Sequence, residues 1–151
     1  MFPIKTIKAA GMLPLISGIL ELGQNARITV SGNSMYPFLR EGIDSVELTK
    51  GSFEKLSKGD IAIVHRTDGH YVMHRIIRKD KNCFFMVGDA QQWIEGPLYP
   101  YQVVAMVTAI WRKDNRIACQ DFRWIVLSRV WLYLRPFRGF ILRFQRKLIQ
   151  G

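Results

Sequence analysis

The patterning of this chain predicts a mainly β protein with a short helix in front and a helical extension behind. Three observations carry that prediction. The run Ile61-Ala62-Ile63-Val64-His65-Arg66 is followed by the turn residues Thr67-Asp68-Gly69 and by Tyr71-Val72-Met73-His74-Arg75-Ile76-Ile77, the pattern of a β-hairpin. The apolar run Phe84-Phe85-Met86-Val87 stops at Gly88-Asp89, as a strand does when it runs into a turn. Near the C-terminus, Phe137, Phe140, Ile141, Phe144 and Leu148 recur at i, i+3, i+4, i+7 and i+11, a helical spacing.

Taken in order, Met12–Leu22 is apolar, contains Pro14 and Gly18 and reaches Glu21, so it reads as one short helix. It falls short of the roughly 18–20 apolar residues of a membrane span, and it lacks the Ala-x-Ala pattern of a cleaved signal segment. The alternation Ile28-Thr29-Val30 opens the first strand, which runs into Ser31-Gly32-Asn33-Ser34-Met35-Tyr36-Pro37. Gly32 can adopt positive φ without penalty, and Pro37 keeps Tyr36 out of the helical region. Lys58-Gly59-Asp60 opens the hairpin, and Val103–Trp111 is a further strand. Phe122–Leu134 is apolar almost all round, broken by Arg123, Ser128 and Arg129; Pro136 then interrupts the ladder and suits the start of a second helix. The expected organisation is a lead-in over 1–26, a β domain over 27–120 and a basic extension over 121–151, with no internal repeat.

With 151 residues, 48% hydrophobic and 23% charged, the composition is that of one globular domain and excludes a disordered chain. A net charge of +10 calls for an anionic partner: nucleic acid, a membrane surface or an acidic peptide. No base-stacking or groove-reading module is recognisable, so nucleic acid is not expected. Cys83 and Cys119 lack metal-ligand spacing and read as buried free thiols.

The run around Ser34 would hold a hydroxyl in a defined backbone at a strand end. Such a hydroxyl becomes a nucleophile only beside a base. Of the three histidines, His70 falls at the hairpin turn and His65 at the end of a strand, whereas His74 lies inside the returning strand among apolar neighbours. A third group must orient the imidazole. Asp89, at the end of the third strand, is the first choice, and Glu95 competes for the role.

Ser31-Gly32-Asn33-Ser34-Met35-Tyr36-Pro37, Lys58-Gly59-Asp60-Ile61, Met73-His74-Arg75-Ile76 and Val87-Gly88-Asp89 follow the box order of the signal peptidase-type serine proteases, and the chain resembles that superfamily over residues 31–90. The resemblance implies a coiled antiparallel β-sheet fold and a serine endopeptidase that cleaves leader or signal segments of precursor proteins. Ser34 would be the nucleophile and His74 the general base. His74 stands where other branches carry lysine, so the chain resembles the histidine-base, archaeal and endoplasmic-reticulum-like branch. That branch continues Gly-Asp-Asn-Asn and has a further aspartate; here stand Gly88-Asp89-Ala90-Gln91 and Glu95. The Ser34 N–H, with a group from Ser31 or Gly32, would bind the oxyanion. No metal or cofactor is called for. The competing classes are a peptidase fold kept only for binding and a self-cleaving repressor; His74 and the roughly 26 residues before the first strand argue against the latter.

Residues 122–151 hold seven Arg or Lys and no acid. Two arrangements are open: the stripe at 137–148 packs on the β domain with Arg138, Arg143, Arg146 and Lys147 in solvent, or both segments lie on an anionic membrane. In the second, Trp124, Trp131, Phe137, Phe140 and Phe144 enter the interface, which would make the protein peripheral to a membrane, on its cytoplasmic face, or cytoplasmic.

Overall fold

The computed structural model describes residues 9–150, so the first eight residues of the expected lead-in and Gly151 lie outside the described residues. Helix α1 (Ala9–Glu21) leads into β1 (Ala26–Thr29), and strands β2 (Asp44–Lys50), β3 (Ile61–His65), β4 (Tyr71–Lys79), β5 (Phe84–Val87), β6 (Glu95–Leu98), β7 (Val103–Arg112) and β8 (Asn115–Ala118) follow. Helices α2 (Phe122–Tyr133) and α3 (Arg138–Gln150) complete the chain, separated by a single tight turn at Arg135–Phe137 that contains Pro136. The strands form one antiparallel sheet in the order β1-β2-β7-β3-β4-β5-β6, with β8 paired to β7. The expected hairpin is present, with His74 opposite Ala62 and Arg75 opposite Ile61. Strands β2, β6 and β8 were not anticipated.

Period-two alternation sorts the strand residues between two apolar clusters. Ile61 and Ile63 join Val46, Leu48 and Ile110 in one, while Ala62 and Val64 join Ile76, Phe84 and Met86 in the other. The larger cluster also takes in Leu13, Ile16 and Leu20 of α1 and Trp124 and Trp131 of α2, so helices from before and after the strands share the core of the sheet.

The C-terminal expectations are corrected here. Trp124 and Trp131 are not free to enter a membrane: both are buried, their rings 5.3 and 5.8 Å from the ring of Phe38. Arg138, expected in solvent, is 0% exposed. The stripe on α3 is divided, because Ile141 leans on the core while Phe140 and Phe144 are exposed together with Phe137 before them. Asp121 caps α2 by accepting from the Arg123 N–H at 2.8 Å, which sets where that helix starts. Cys83 and Cys119 are free but only half-buried. Among the described residues, no helix is long and apolar enough to cross a membrane.

Candidate active site

The loop that carries Ser34 is pinned at both ends. At its start, Gly32 adopts the expected positive φ of 79° and donates its N–H to Glu41 Oε1 at 3.0 Å. That N–H is therefore committed, and Gly32 is withdrawn as a backbone oxyanion donor. Met35 and Leu39 point into the core, joined by a hydrogen bond of 2.9 Å from Leu39 N to Met35 O. At the far end, buried Asp44 accepts from Arg40 N at 2.8 Å and from the Arg40 and Arg112 guanidiniums, and Arg112 also reaches Phe38 O at 2.8 Å. Burial alone would raise the Asp44 carboxyl, but these donors outweigh it and hold it below the usual range.

Ser34 and His74 line one open cavity of about 320 Å³, shared with Ser31, Arg66, Gln91 and Trp93. No hydrogen bond joins the two side chains; such bonds are commonly loose before substrate binds. His74 is 3% exposed, and the edge-on Trp93 ring lies 6.0 Å from its own. Burial lowers its pKa from 6.5 to about 4; the Glu95 charge pulls it up and Arg66 pushes it down, both more weakly. The imidazole is thus neutral at pH 7, the state a proton acceptor requires. Its Nδ1 is buried and has no hydrogen-bond partner among the described residues.

Asp89 does not orient His74 in this structure. Its two carboxylate oxygens accept from Arg75 Nε at 2.8 Å and Arg75 Nη2 at 2.7 Å, in a fully buried ion pair. The reason is the strand period: His74 and Arg75 are consecutive on β4 and project to opposite faces, so a carboxylate gripping Arg75 sits away from the imidazole. Arg75 is further fixed by Gly59 O at 3.0 Å and by the Phe38 ring, 4.7 Å from its guanidinium carbon. Glu95 is the carboxylate whose charge reaches His74, but it is held in an ion pair by Arg66. Ser31 is exposed at the cavity wall.

The turn after β5 abuts the serine loop directly. Ala90 N donates to Ser34 O at 2.9 Å, and a Cβ on Gly88 would come within 2.7 Å of that same oxygen. Glycine is required at 88 by this close approach of two backbones. Sequence reasoning missed Arg66, Gln91 and Trp93, and it missed Arg75 as the partner of Asp89. The adjacency of His74 and Arg75 was the available signal, since a following aspartate could pair with either. Cys119 is not a reactive thiol, because burial pushes it up to about 11. No metal-binding group of His, Cys, Asp or Glu is present among the described residues. No family model, curated protein or solved structure matches this chain.

Proposed function

We propose that the protein is a serine endopeptidase of the signal-peptidase type, acting on leader or signal segments of precursor proteins with Ser34 as nucleophile and His74 as general base. The observation that carries the reading is the pairing, in one cavity at a strand end, of a hydroxyl on a pinned loop with a buried imidazole that is neutral at pH 7. Neutral His74 takes the Ser34 proton as Oγ attacks the peptide carbonyl, then gives it to the leaving amine. The Ser34 N–H serves the developing oxyanion, a donor worth about 3–4 kcal/mol in comparable sites. Glu95, whose charge raises the His74 pKa, stabilises the imidazolium that forms between these steps.

The edge of the sheet supports this reading. Among the described residues β1 is the end strand and pairs only with β2, and its other edge leads into Ser31 and the cavity. A peptide added along that edge gains main-chain hydrogen bonds and presents its carbonyl at the strand end. The finer fold assignment, a signal-peptidase or repressor-peptidase-like sheet, belongs to the same proposal.

The test is active-site labelling followed by product mapping. Wild type should react with a fluorophosphonate probe at Ser34, and Ser34→Ala and His74→Ala should lose labelling while keeping a wild-type unfolding transition. N-terminal profiling of cells carrying Ser34 or Ser34→Ala should reveal a few peptide ends found only with the serine. Labelling that survives in folded Ser34→Ala, or identical profiles, sinks the peptidase reading in favour of a binding-only role.

An anionic membrane surface is the partner that the charge and the C-terminal helix support. Phe137, Phe140, Phe144 and Leu148 are exposed beside Arg143, Arg146 and Lys147, which are also exposed. Aromatic and aliphatic side chains would enter the acyl boundary while the cations meet headgroups. The protein would then be peripheral to the membrane whose precursors it processes.

A further inference from the structure

The turn after β5 is held chiefly from outside the sheet, by side chains of the C-terminal segment. Trp131 Nε1 donates to Asp89 O at 3.0 Å. Arg138 Nη1 donates to Gly88 O at 3.1 Å and to Gln91 O at 3.2 Å, and its Nη2 reaches back to Trp131 O at 3.3 Å. Arg135 Nη1 donates to Gln92 O at 3.0 Å. Four carbonyls of one short turn, at 88, 89, 91 and 92, are thereby bound by three side chains lying between 131 and 138.

This is an unusual use of a buried guanidinium. A fully buried arginine carries a desolvation penalty of several kcal/mol, offset only where acceptors are fixed around it. Arg138 is paired with no carboxylate among the described residues: Asp89 gives both oxygens to Arg75, and the two terminal nitrogens of Arg138 donate to main-chain carbonyls while its Nε has no partner. A guanidinium so placed fixes backbone geometry through several directional bonds at once. The backbone it fixes is the one that touches the candidate site. Ala90 N holds Ser34 O, Gln91 lines the cavity, and Trp93 lies edge-on to His74.

We propose that Arg138, assisted by Trp131 and Arg135, is a positioning residue: it clamps the turn at 88–92 so that the Ser34 backbone and the Trp93 ring keep their register with His74. The catalytic consequence rests on the peptidase reading; the clamp itself does not. The C-terminal helices are on this view part of the machinery that presents the serine, rather than an appendage to it.

The experiment compares full-length wild type with Arg138→Ala, Arg138→Lys and Trp131→Phe by two readouts. Hydrogen exchange follows the Ala90 and Gln91 amides, and fluorophosphonate labelling follows the reactivity of Ser34. Arg138→Ala should speed exchange at those two amides while the β3 and β7 amides keep their protection. It should also slow labelling about 10- to 100-fold, the penalty typical of misplacing a reacting group by about an ångström. Guanidinium, added well below denaturing concentrations, should restore much of that rate, and Arg138→Lys should recover only a minor part. Unchanged exchange at Ala90 and Gln91 overturns the clamp. So does a uniform rise across the sheet without rescue by guanidinium, which would make Arg138 a plain core residue. If wild type itself is not labelled, the peptidase reading fails alone, and the exchange result still decides the clamp. If Arg138→Ala does not fold, Trp131→Phe, which keeps an aromatic ring but loses the indole N–H donor, should expose the same two amides; wild-type protection there overturns the proposal.

Discussion

His74 and Asp89 show how burial decides what a titratable side chain can do. The imidazole is drawn from 6.5 to about 4 because the charged form loses its water. In the unfolded chain it binds a proton near 6.5, so between pH 6.5 and 4 the unfolded state holds the extra proton. Stability is therefore complete above 6.5 and falls as the pH drops toward 4. A shift of this size corresponds to about 3 kcal/mol. Urea unfolding at a series of pH values should show wild type losing about that much more than His74→Asn over the window. On the peptidase reading, kcat/KM should hold down to about pH 4, because that is where the base protonates. Glu95→Gln removes a charge that supports the imidazolium, so it should move this acid limb to lower pH. Asp89 behaves differently, as one half of a buried ion pair. Asp89→Ala strands Arg75 and should cost about 3–5 kcal/mol by chemical denaturation; a variant as stable as wild type would contradict the pairing with Arg75.

Among the elements, α3 differs most from its sequence pattern. A stripe at helical spacing usually marks the side facing the core, yet here Ile141 turns toward the core and the phenylalanines face solvent. The first turn decides this rotation, since Arg138 is drawn inward to the carbonyls at 88 and 91. On the membrane reading, Phe140→Ser combined with Phe144→Ser should reduce flotation with vesicles rich in anionic lipid by about tenfold or more, with little change in Tm, because neither ring contributes to the core. Flotation equal to wild type would show that the exposed rings do not carry binding. Helix α2 is divided as well: its two tryptophans are closed over Phe38, while Phe122, Leu127, Val130 and Tyr133 are exposed.

For the molecule as a whole, the consequence is that the C-terminal segment is not separable from the sheet. Trp124 and Trp131 would each cost about 3–5 kcal/mol to remove from a core, against the ~5–15 kcal/mol that holds a typical domain together. A fragment ending at residue 121 should lack a cooperative urea transition and near-UV dichroism; a cooperative transition would show that the sheet stands alone. Truncation is accordingly a poor test of membrane binding, and point changes on α3 are the better one. The strand runs read at 61–66, 71–77 and 84–87, the first helix and the break at Pro136 were all legible in the sequence, because periodicity and turn chemistry are local properties. Ser34 and His74 were legible as candidates for the same reason. The partner of Asp89 was not, since the choice between His74 and Arg75 depends on which face of β4 the turn packs against. Nor were the inward turn of Arg138 and the burial of Trp124 and Trp131, because the pattern left packing on the sheet and a membrane interface both open. Those outcomes depend on contacts between residues 42 to 93 positions apart, such as Trp131 with Asp89 and with Phe38. The sequence by itself determined the central strands, their turns and the candidate pair, because these follow from local periodicity; only the packing of the chain in three dimensions decided that Asp89 holds Arg75 and that Arg138 is buried on the turn at 88–92.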